Sequence, residues 1–428
     1  MIFVTLMAIA FLGLFLSKWL FDDFFTPPAI YNFFWNLAIA FLSLNLVRYH
    51  PVGTEAWTAI GASYTAFMGG SALVAVYALQ RPAWLTNQTR LAYINRSRFE
   101  TALFAMFAVG ILGFVMQLFH LHQQFGLATF FTDPQRAREL HSNVRFLGFF
   151  NLLNVANFVF GLMYLALYRK PRRWIIAILF WSLATAFFTT DRTRLFYMAI
   201  WSFYVVVYSQ RRVNISFRFA LASSSVVLGL LGMFMLIARL YVKEAYDYNR
   251  QFLRYPELGP LNDIYIYLTG SFPVLQQFLT DKWDWTYGKH TFAPVVTFME
   301  LLVPHFEREV LVGKFYWVPI HLNVCTYLET FYKDWGFLGL IFGPLVCGIV
   351  SMWIYMAMRQ RRNLFTVFFA GLISFCVTIS VFINFYSQIA TWFFVAVGYI
   401  VYRWSYSTEP EDPAHFRAGV TMPPPSIR

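Results

Sequence analysis

The 428-residue chain is 59% hydrophobic and 21% aromatic, yet only 13% charged, against about 25% charged residues in a soluble domain. Its formal net charge of +12 falls in short clusters between apolar runs, a pattern that excludes a nucleic-acid-binding module and a soluble enzyme. Several runs approach the roughly 20 residues that cross a bilayer, and lipid offers backbone groups no partner outside their own helix, so the fold class is all-α, polytopic and membrane-embedded.

About eleven spans are predicted, near 1–20, 29–47, 57–79, 100–120, 147–168, 174–190, 194–210, 218–240, 335–357, 364–384 and 387–403. The first lacks a basic n-region and a small-residue cleavage site, so it reads as a span and not as a cleaved signal. One set of alternate short loops holds Arg81, Arg90, Arg96 and Arg98, then Arg169, Lys170, Arg172 and Arg173, then Arg211, Arg212 and Arg218, then Arg359, Arg361 and Arg362; the opposite loops hold far fewer cations. The positive-inside rule places the rich set in the cytoplasm. Four regions follow: membrane helices over 1–240, a large outward loop over 241–334, membrane helices over 335–404, and a disordered cytoplasmic tail over 405–428 with Glu409, Glu411 and Pro423 to Pro425. A short interfacial helix is expected in 121–146, where Asp133-Pro134 makes a good helix start. Within the large loop, 261–279 and 292–303 read as short surface helices, the first broken at Gly270 and Pro273. Cys325, Cys347 and Cys376 make no disulfide framework.

The chemistry-bearing residues are few. Thr189-Thr-Asp191-Arg192-Thr193-Arg194 stands at the outer end of two spans joined by almost no loop. Arginines there are costly unless paired or functional. They either pair with Asp191 and headgroups or present planar forks to phosphate oxygens, and Arg136, Arg138, Arg145, Arg250 and Arg254 add to the outward group. Asn151, Asn154 and Asn157 recur every third residue in one span, as interhelical hydrogen-bonding groups or as the lining of a groove. In the large loop Trp283, Trp285, Tyr287, Tyr316 and Trp317 offer flat faces for sugars or for an interfacial belt. His290, His305 and His321 are candidate bases, but none has a helical ligand spacing, so a metal site is not expected. Asp22-Asp23 is a lone acidic pair on the predicted inner side.

Asp191-Arg192-Thr193, Tyr267-Leu-Thr269-Gly270-Ser271, Gly288-Lys-His290-Thr291, Asn323-Val-Cys-Thr326 and Tyr332-Lys-Asp334-Trp-Gly336-Phe-Leu-Gly339 together resemble the O-antigen polymerase, or oligosaccharide repeat-unit polymerase, family. The likeness extends to the architecture of many spans with one large outer loop. The family commonly carries an aromatic residue where Cys325 stands and Phe where Trp335 stands. The resemblance implies a glycosyltransferase of the bacterial inner membrane with a periplasmic site and no cofactor or metal. It would polymerise repeat units carried on undecaprenyl pyrophosphate, with those lipid-linked oligosaccharides, membrane lipids and a chain-length regulator as partners, and no nucleic acid. In this reading Arg192 and Arg194, with Arg254 or Arg145, hold the pyrophosphate. His290, His321, Glu329 or Asp334 is the base, Asn323 and Thr326 position the loop or bind sugar hydroxyls, and Tyr267 and Trp317 complete the substrate site. The site is expected between the loop and the 191–194 corner. An O-antigen ligase, a lipid-linked glycan flippase and a metal-dependent glycosyltransferase using Asp22 and Asp23 remain alternatives.

Overall fold

The computed structural model describes residues 1–81, 88–89, 91–126, 147–168, 170, 172–188, 192–210, 250–302, 314–412 and 415–416. In chain order these form α1 (Ile2–Phe21), α2 (Pro27–Leu42), α3 (Thr54–Leu79), β1 (Gln88–Thr89), α4 (Arg96–Phe125), α5 (Leu147–Leu167), α6 (Arg173–Phe188), α7 (Arg192–Phe196) and α8 (Ser202–Ser209). They continue with α9 (Pro260–Thr269), α10 (Ser271–Thr280), α11 (Ala293–Leu302), β2 (Tyr316–Trp317), β3 (His321–Leu322), α12 (Leu328–Gln360), β4 (Arg361–Arg362), α13 (Leu364–Ile379) and α14 (Ile389–Ser405). Among the described residues five helices are long and apolar enough to cross a membrane: Ile2–Phe21, Thr54–Leu79, Arg96–Gln124, Phe150–Leu167 and Leu328–Gln360. Shorter apolar helices lie at Arg173–Ala186 and Leu364–Ile379. The expected span 218–240 and most of the expected interfacial helix in 121–146 fall outside the described residues. Another expected span, 194–210, is interrupted by a π-helical turn, Tyr197–Trp201, between α7 and α8.

Two compact units divide the chain: Met1–Leu85 with Glu244–Ala357 and Cys376–Trp392, and Thr86–Lys243 with Met358–Phe375 and Phe393–Arg428. In the first, α1 ends where Asp22 takes a left-handed conformation (φ 52°) and α2 starts on Pro27, whose missing N–H costs nothing at a first turn. The link is closed by Ser17 Oγ, which donates to the Asp23 carbonyl at 2.6 Å, and by a salt bridge from Lys18 to Asp22. The carboxylate of Asp23 accepts from Phe25 N (2.9 Å) and from the Tyr355 hydroxyl (2.7 Å). Both aspartates of the acidic pair are therefore engaged in holding this hairpin.

Helices α3 and α12 touch through small residues. A Cβ on Gly70 would stand 2.3 Å from the Leu345 carbonyl, and one on Gly348 would stand 2.2 Å from that of Phe67. Ser63 Oγ donates to the Leu340 carbonyl at 2.8 Å. Lipid supplies no hydrophobic drive between helices, so close backbone approach and such bonds hold them together. Around this seam sits an aromatic core. Tyr31 stacks on Phe67 with centroids 3.9 Å apart and shares a 3.1 Å hydrogen bond with the Tyr327 hydroxyl, while Trp35 donates from its indole to Ser380 Oγ at 2.9 Å.

In the second unit α4 and α5 are joined by the asparagine ladder. Asn151 donates to Gln117 at 2.5 Å, and Asn154 donates to the Gly110 carbonyl at 3.0 Å and to Asn151 at 2.8 Å. Asn157 is buried beside the backbone of Leu103 and Phe107. Of the two roles open for these residues, the structure shows the interhelical one. At the N-terminal end of α4, Glu100 gathers Arg96 (2.9 Å), Arg172 (3.3 Å) and the Tyr164 hydroxyl (2.5 Å). Trp201 of the π turn donates to the Phe368 carbonyl at 3.0 Å, and Phe368 stacks on Phe160 at 4.0 Å.

Of the tail expected to be disordered after residue 404, residues 405–412 and 415–416 are described, and they make contacts. Asn95 N donates to the Ser405 carbonyl and Ser407 N to that of Tyr93, both at 2.8 Å. Phe416 is 1% exposed and stacks on Tyr168 at 5.2 Å. Charge and proline content argued for disorder, but one aromatic side chain finds an apolar seat, and the last residues, 417–428, lie outside those described. Beside it, Glu411 accepts from the Tyr168 hydroxyl (3.3 Å) and faces His415 (3.6 Å). Burial pushes the Glu411 carboxyl above the usual carboxylate range, although His415, Tyr168 and Arg96 pull the other way. A carboxyl raised in the docked state favours docking when protonated: the contribution is full below the ordinary value and is lost as pH rises through the raised one. Amide exchange over 405–416, corrected for the intrinsic rate, is expected to slow as pH falls into that window. Glu411→Gln should remove the dependence.

Candidate functional site

The site is built where the large loop rejoins the membrane helices. Thr326 starts α12: its Oγ1 accepts from Leu328 N (3.4 Å) and its carbonyl from Glu329 N (3.2 Å), satisfying donors that a helix start leaves open. Tyr327 N donates to the Ser380 carbonyl at 2.9 Å, tying this start to the chain before α14. Seven residues later α12 breaks, at Trp335 (φ −140°, ψ 17°) and Gly336 (φ 58°, ψ −143°). A side chain at 336 would be strained by the left-handed backbone and would meet the Trp285 ring, 2.3 Å from an added Cβ. The break falls beside the position where the hydropathy pattern ends the loop. It also leaves the short first segment of the helix, 328–334, to carry polar side chains.

Asp334 is fully buried. Its carboxylate accepts from Thr286 Oγ1 (2.5 Å), His290 N (3.1 Å) and Thr291 N (2.6 Å). The loop reaches it through Tyr287 (φ 46°) and Gly288 (φ 93°), two successive left-handed residues that turn the following amides inward. Hydrogen bonds to a charged acceptor are the stronger kind. One aspartate thus latches the 286–291 loop onto the head of α12, and Thr286 N adds a bond to the Lys333 carbonyl at 3.1 Å.

Beside this latch lies a recess of about 30 Å³, room for a water or a single polar group and less than a sugar ring. His290 of the loop, Asn323, Thr326, Glu329 and Lys333 line it, with Asn384, Ser387 and Gln388 from the α13–α14 connection. Lys333 Nζ sits 2.8 Å from Glu329 Oε1 and 4.8 Å from the centre of the Trp283 ring. Both charged side chains are mostly buried, at 12% and 18% exposed, so the pair is better sheltered than a surface ion pair. Asn384 shapes the connection as its Oδ1 accepts from Tyr386 N (3.0 Å) and its Nδ2 donates to Ser387 Oγ (3.0 Å). Cys325 also borders the recess. Burial, reinforced by Glu329, pushes its thiol well above the ordinary range, which keeps it protonated and a poor nucleophile.

Four expected site residues, His290, Asn323, Thr326 and Glu329, therefore meet in one recess, with Asp334 directly behind His290. His321 and Trp317 lie instead on the β2–β3 hairpin. There His321 is exposed, stacked on Trp317 (4.8 Å) and tilted against Phe315 (4.5 Å). Tyr267 is partly buried on α9, and Arg254 is exposed, with its backbone N donating to the Leu46 carbonyl at 2.9 Å. In the second unit Arg192 opens α7, and Arg194, two residues on, is buried. Arg145 lies outside the described residues. Lys333, Asn384, Ser387 and Gln388 were not anticipated. The signal for the last three is the polar run Asn384-Phe-Tyr-Ser387-Gln388 between two apolar stretches, whose ends the expected spans 364–384 and 387–403 overlap.

No curated protein and no solved structure matches the chain. The family model described as Putative O-antigen polymerase matches residues 23–384, which runs from just after α1 through the whole loop and the latch to the start of the α13–α14 connection. With most of its length matched and its long apolar helices in place, the chain belongs to the O-antigen polymerase family.

Proposed function

We propose that this protein polymerises oligosaccharide repeat units carried on undecaprenyl pyrophosphate, at the outer face of the bacterial inner membrane. The observation that carries this reading is the recess, which gathers a carboxylate, an imidazole and several amide and hydroxyl side chains under a latched loop. In the reaction an acceptor hydroxyl attacks the anomeric carbon of the donor sugar. The C–O bond to the pyrophosphate breaks, the pyrophosphate leaves with the electron pair, and the hydroxyl proton passes to a base.

Of the four candidate bases, two suit the role. Asp334 has its oxygens occupied by three donors, and His321 sits on the hairpin. Glu329 and His290 line the recess. Glu329 is the base in this reading, with Lys333 holding it in position at 2.8 Å. Arg192 and Arg194, with Arg254 or Arg145, neutralise the leaving pyrophosphate, so the step calls for no metal. Thr326 positions the loop, Tyr267 and Trp317 contact the glycan, and a chain-length regulator is a partner.

Glu329→Gln keeps shape and removes the base. It is expected to lower turnover by about 10²- to 10⁴-fold with KM little changed, measured with extracted lipid-linked repeat units in proteoliposomes. Wild-type turnover in this variant would remove the recess from the chemistry. Analysis of a deletion strain tests the activity itself: single repeats on lipopolysaccharide are expected, whereas finished polymer stranded on the carrier lipid would indicate a ligase.

A further inference from the structure

The side chains lining the recess are balanced in charge: Lys333 is 2.8 Å from Glu329, and both are mostly buried. Such a wall favours neutral hydroxyl groups over a pyrophosphate, which needs net positive charge. The polar capacity left over is carried by carboxamides. Among the described residues neither the Asn323 nor the Gln388 side chain has a hydrogen-bond partner, although both are partly buried and both line the recess. The neighbours of Gln388 are different. Asn384 and Ser387 bond to each other, and Asn384 also receives Tyr386 N. Only the backbone of Gln388 is used structurally, its N–H donating to the Phe385 carbonyl at 3.3 Å and its carbonyl accepting from Thr391 N at 3.1 Å. A carboxamide can donate and accept at once, which matches a sugar hydroxyl in both of its roles. Ser387 and Gln388 also lie beyond residues 23–384, so nothing about them comes from the family match.

We propose that Gln388, together with Asn323, is a specificity-determining residue that recognises a hydroxyl of the acceptor sugar entering the recess. This rests on the polymerase reading above and deepens it. Gln388 holds no part of the fold through its side chain, so its replacement lowers use of the acceptor that carries the recognised hydroxyl more than use of one that lacks it.

The test uses the full chain in proteoliposomes, with lipid-linked repeat units extracted from a strain lacking it as donor. Acceptors are the same unit and a panel in which the terminal sugar lacks one hydroxyl at a time. The wild type is expected to prefer the complete acceptor over one member of the panel by up to about tenfold, the size of one neutral hydrogen bond. Gln388→Ala should use that pair equally while ranking the rest of the panel as before. Gln388→Asn, which keeps the amide but shortens its reach, should lose the same discrimination. Full discrimination retained by both variants overturns the proposal, as does a folded Gln388→Ala protein inactive on every acceptor. A wild-type protein that elongates no acceptor overturns the polymerase reading, and the proposal with it.

Discussion

Asp334→Ala is expected to abolish polymer and to destabilise the protein, although Asp334 does not line the recess. The carboxylate is the common acceptor for Thr286 Oγ1, His290 N and Thr291 N. Removing it strands these donors, at about 1–3 kcal/mol for each that stays buried. The loop can recover them only by swinging out to water, and His290 leaves the recess with it. Asp334→Asn is the informative companion. It keeps one oxygen and the volume but turns an N–H towards at least one donor, so the loop should loosen without being lost. Exchange of the His290 and Thr291 amides should rise in both variants. In Asp334→Asn KM is expected to rise more than kcat falls, the sign of a positioning residue and not of a base. A normal polymer ladder from Asp334→Ala would show that the latch does not serve the reaction.

Arg192→Ala is expected to eliminate polymer while the protein remains folded and inserted. Arg192 is the first residue of α7, and Arg194, two residues on, is buried. Truncating Arg194 therefore costs packing as well as charge, which makes Arg192 the cleaner probe. A donor aimed at developing charge on a leaving group is worth about 10²- to 10³-fold in rate. Arg192→Lys should fail nearly as badly, since an ammonium cannot reproduce the two-pronged fork that meets phosphate oxygens. The ladder of lipopolysaccharide chain lengths, set against membrane protein level by immunoblot, reads the outcome. A wild-type ladder in Arg192→Ala would remove the arginine from the pyrophosphate role.

How much of this was legible beforehand differs from residue to residue. The break between the two short loop helices was readable, because Gly270 ends the first and Pro273 fits the opening turn of the second. The spacing of Asn151 and Asn154 pointed to the bundle interior, since lipid offers an amide nothing, and the bonds to Gly110 and Gln117 chose the interhelical role over a groove lining. The function of Asp334 was not readable. In sequence it is one more carboxylate near the membrane, and only the fold brings the 286–291 amides to it from more than forty residues away. Phe416 was not legible either, since in a tail polar on average only the fold shows that a single ring is seated on Tyr168.

The amino-acid sequence alone determined the helical membrane class and the family, because these depend on composition, hydropathy and short motifs that need no partner. Tertiary structure decided which of the candidate residues meet. It joined His290, Asn323, Thr326 and Glu329, withdrew Asp334 behind them, set His321 on a hairpin and supplied Lys333 and Gln388. The reason is physical: a carboxylate's role is set by the donors and charges within a few ångströms, and along this chain those neighbours are distant.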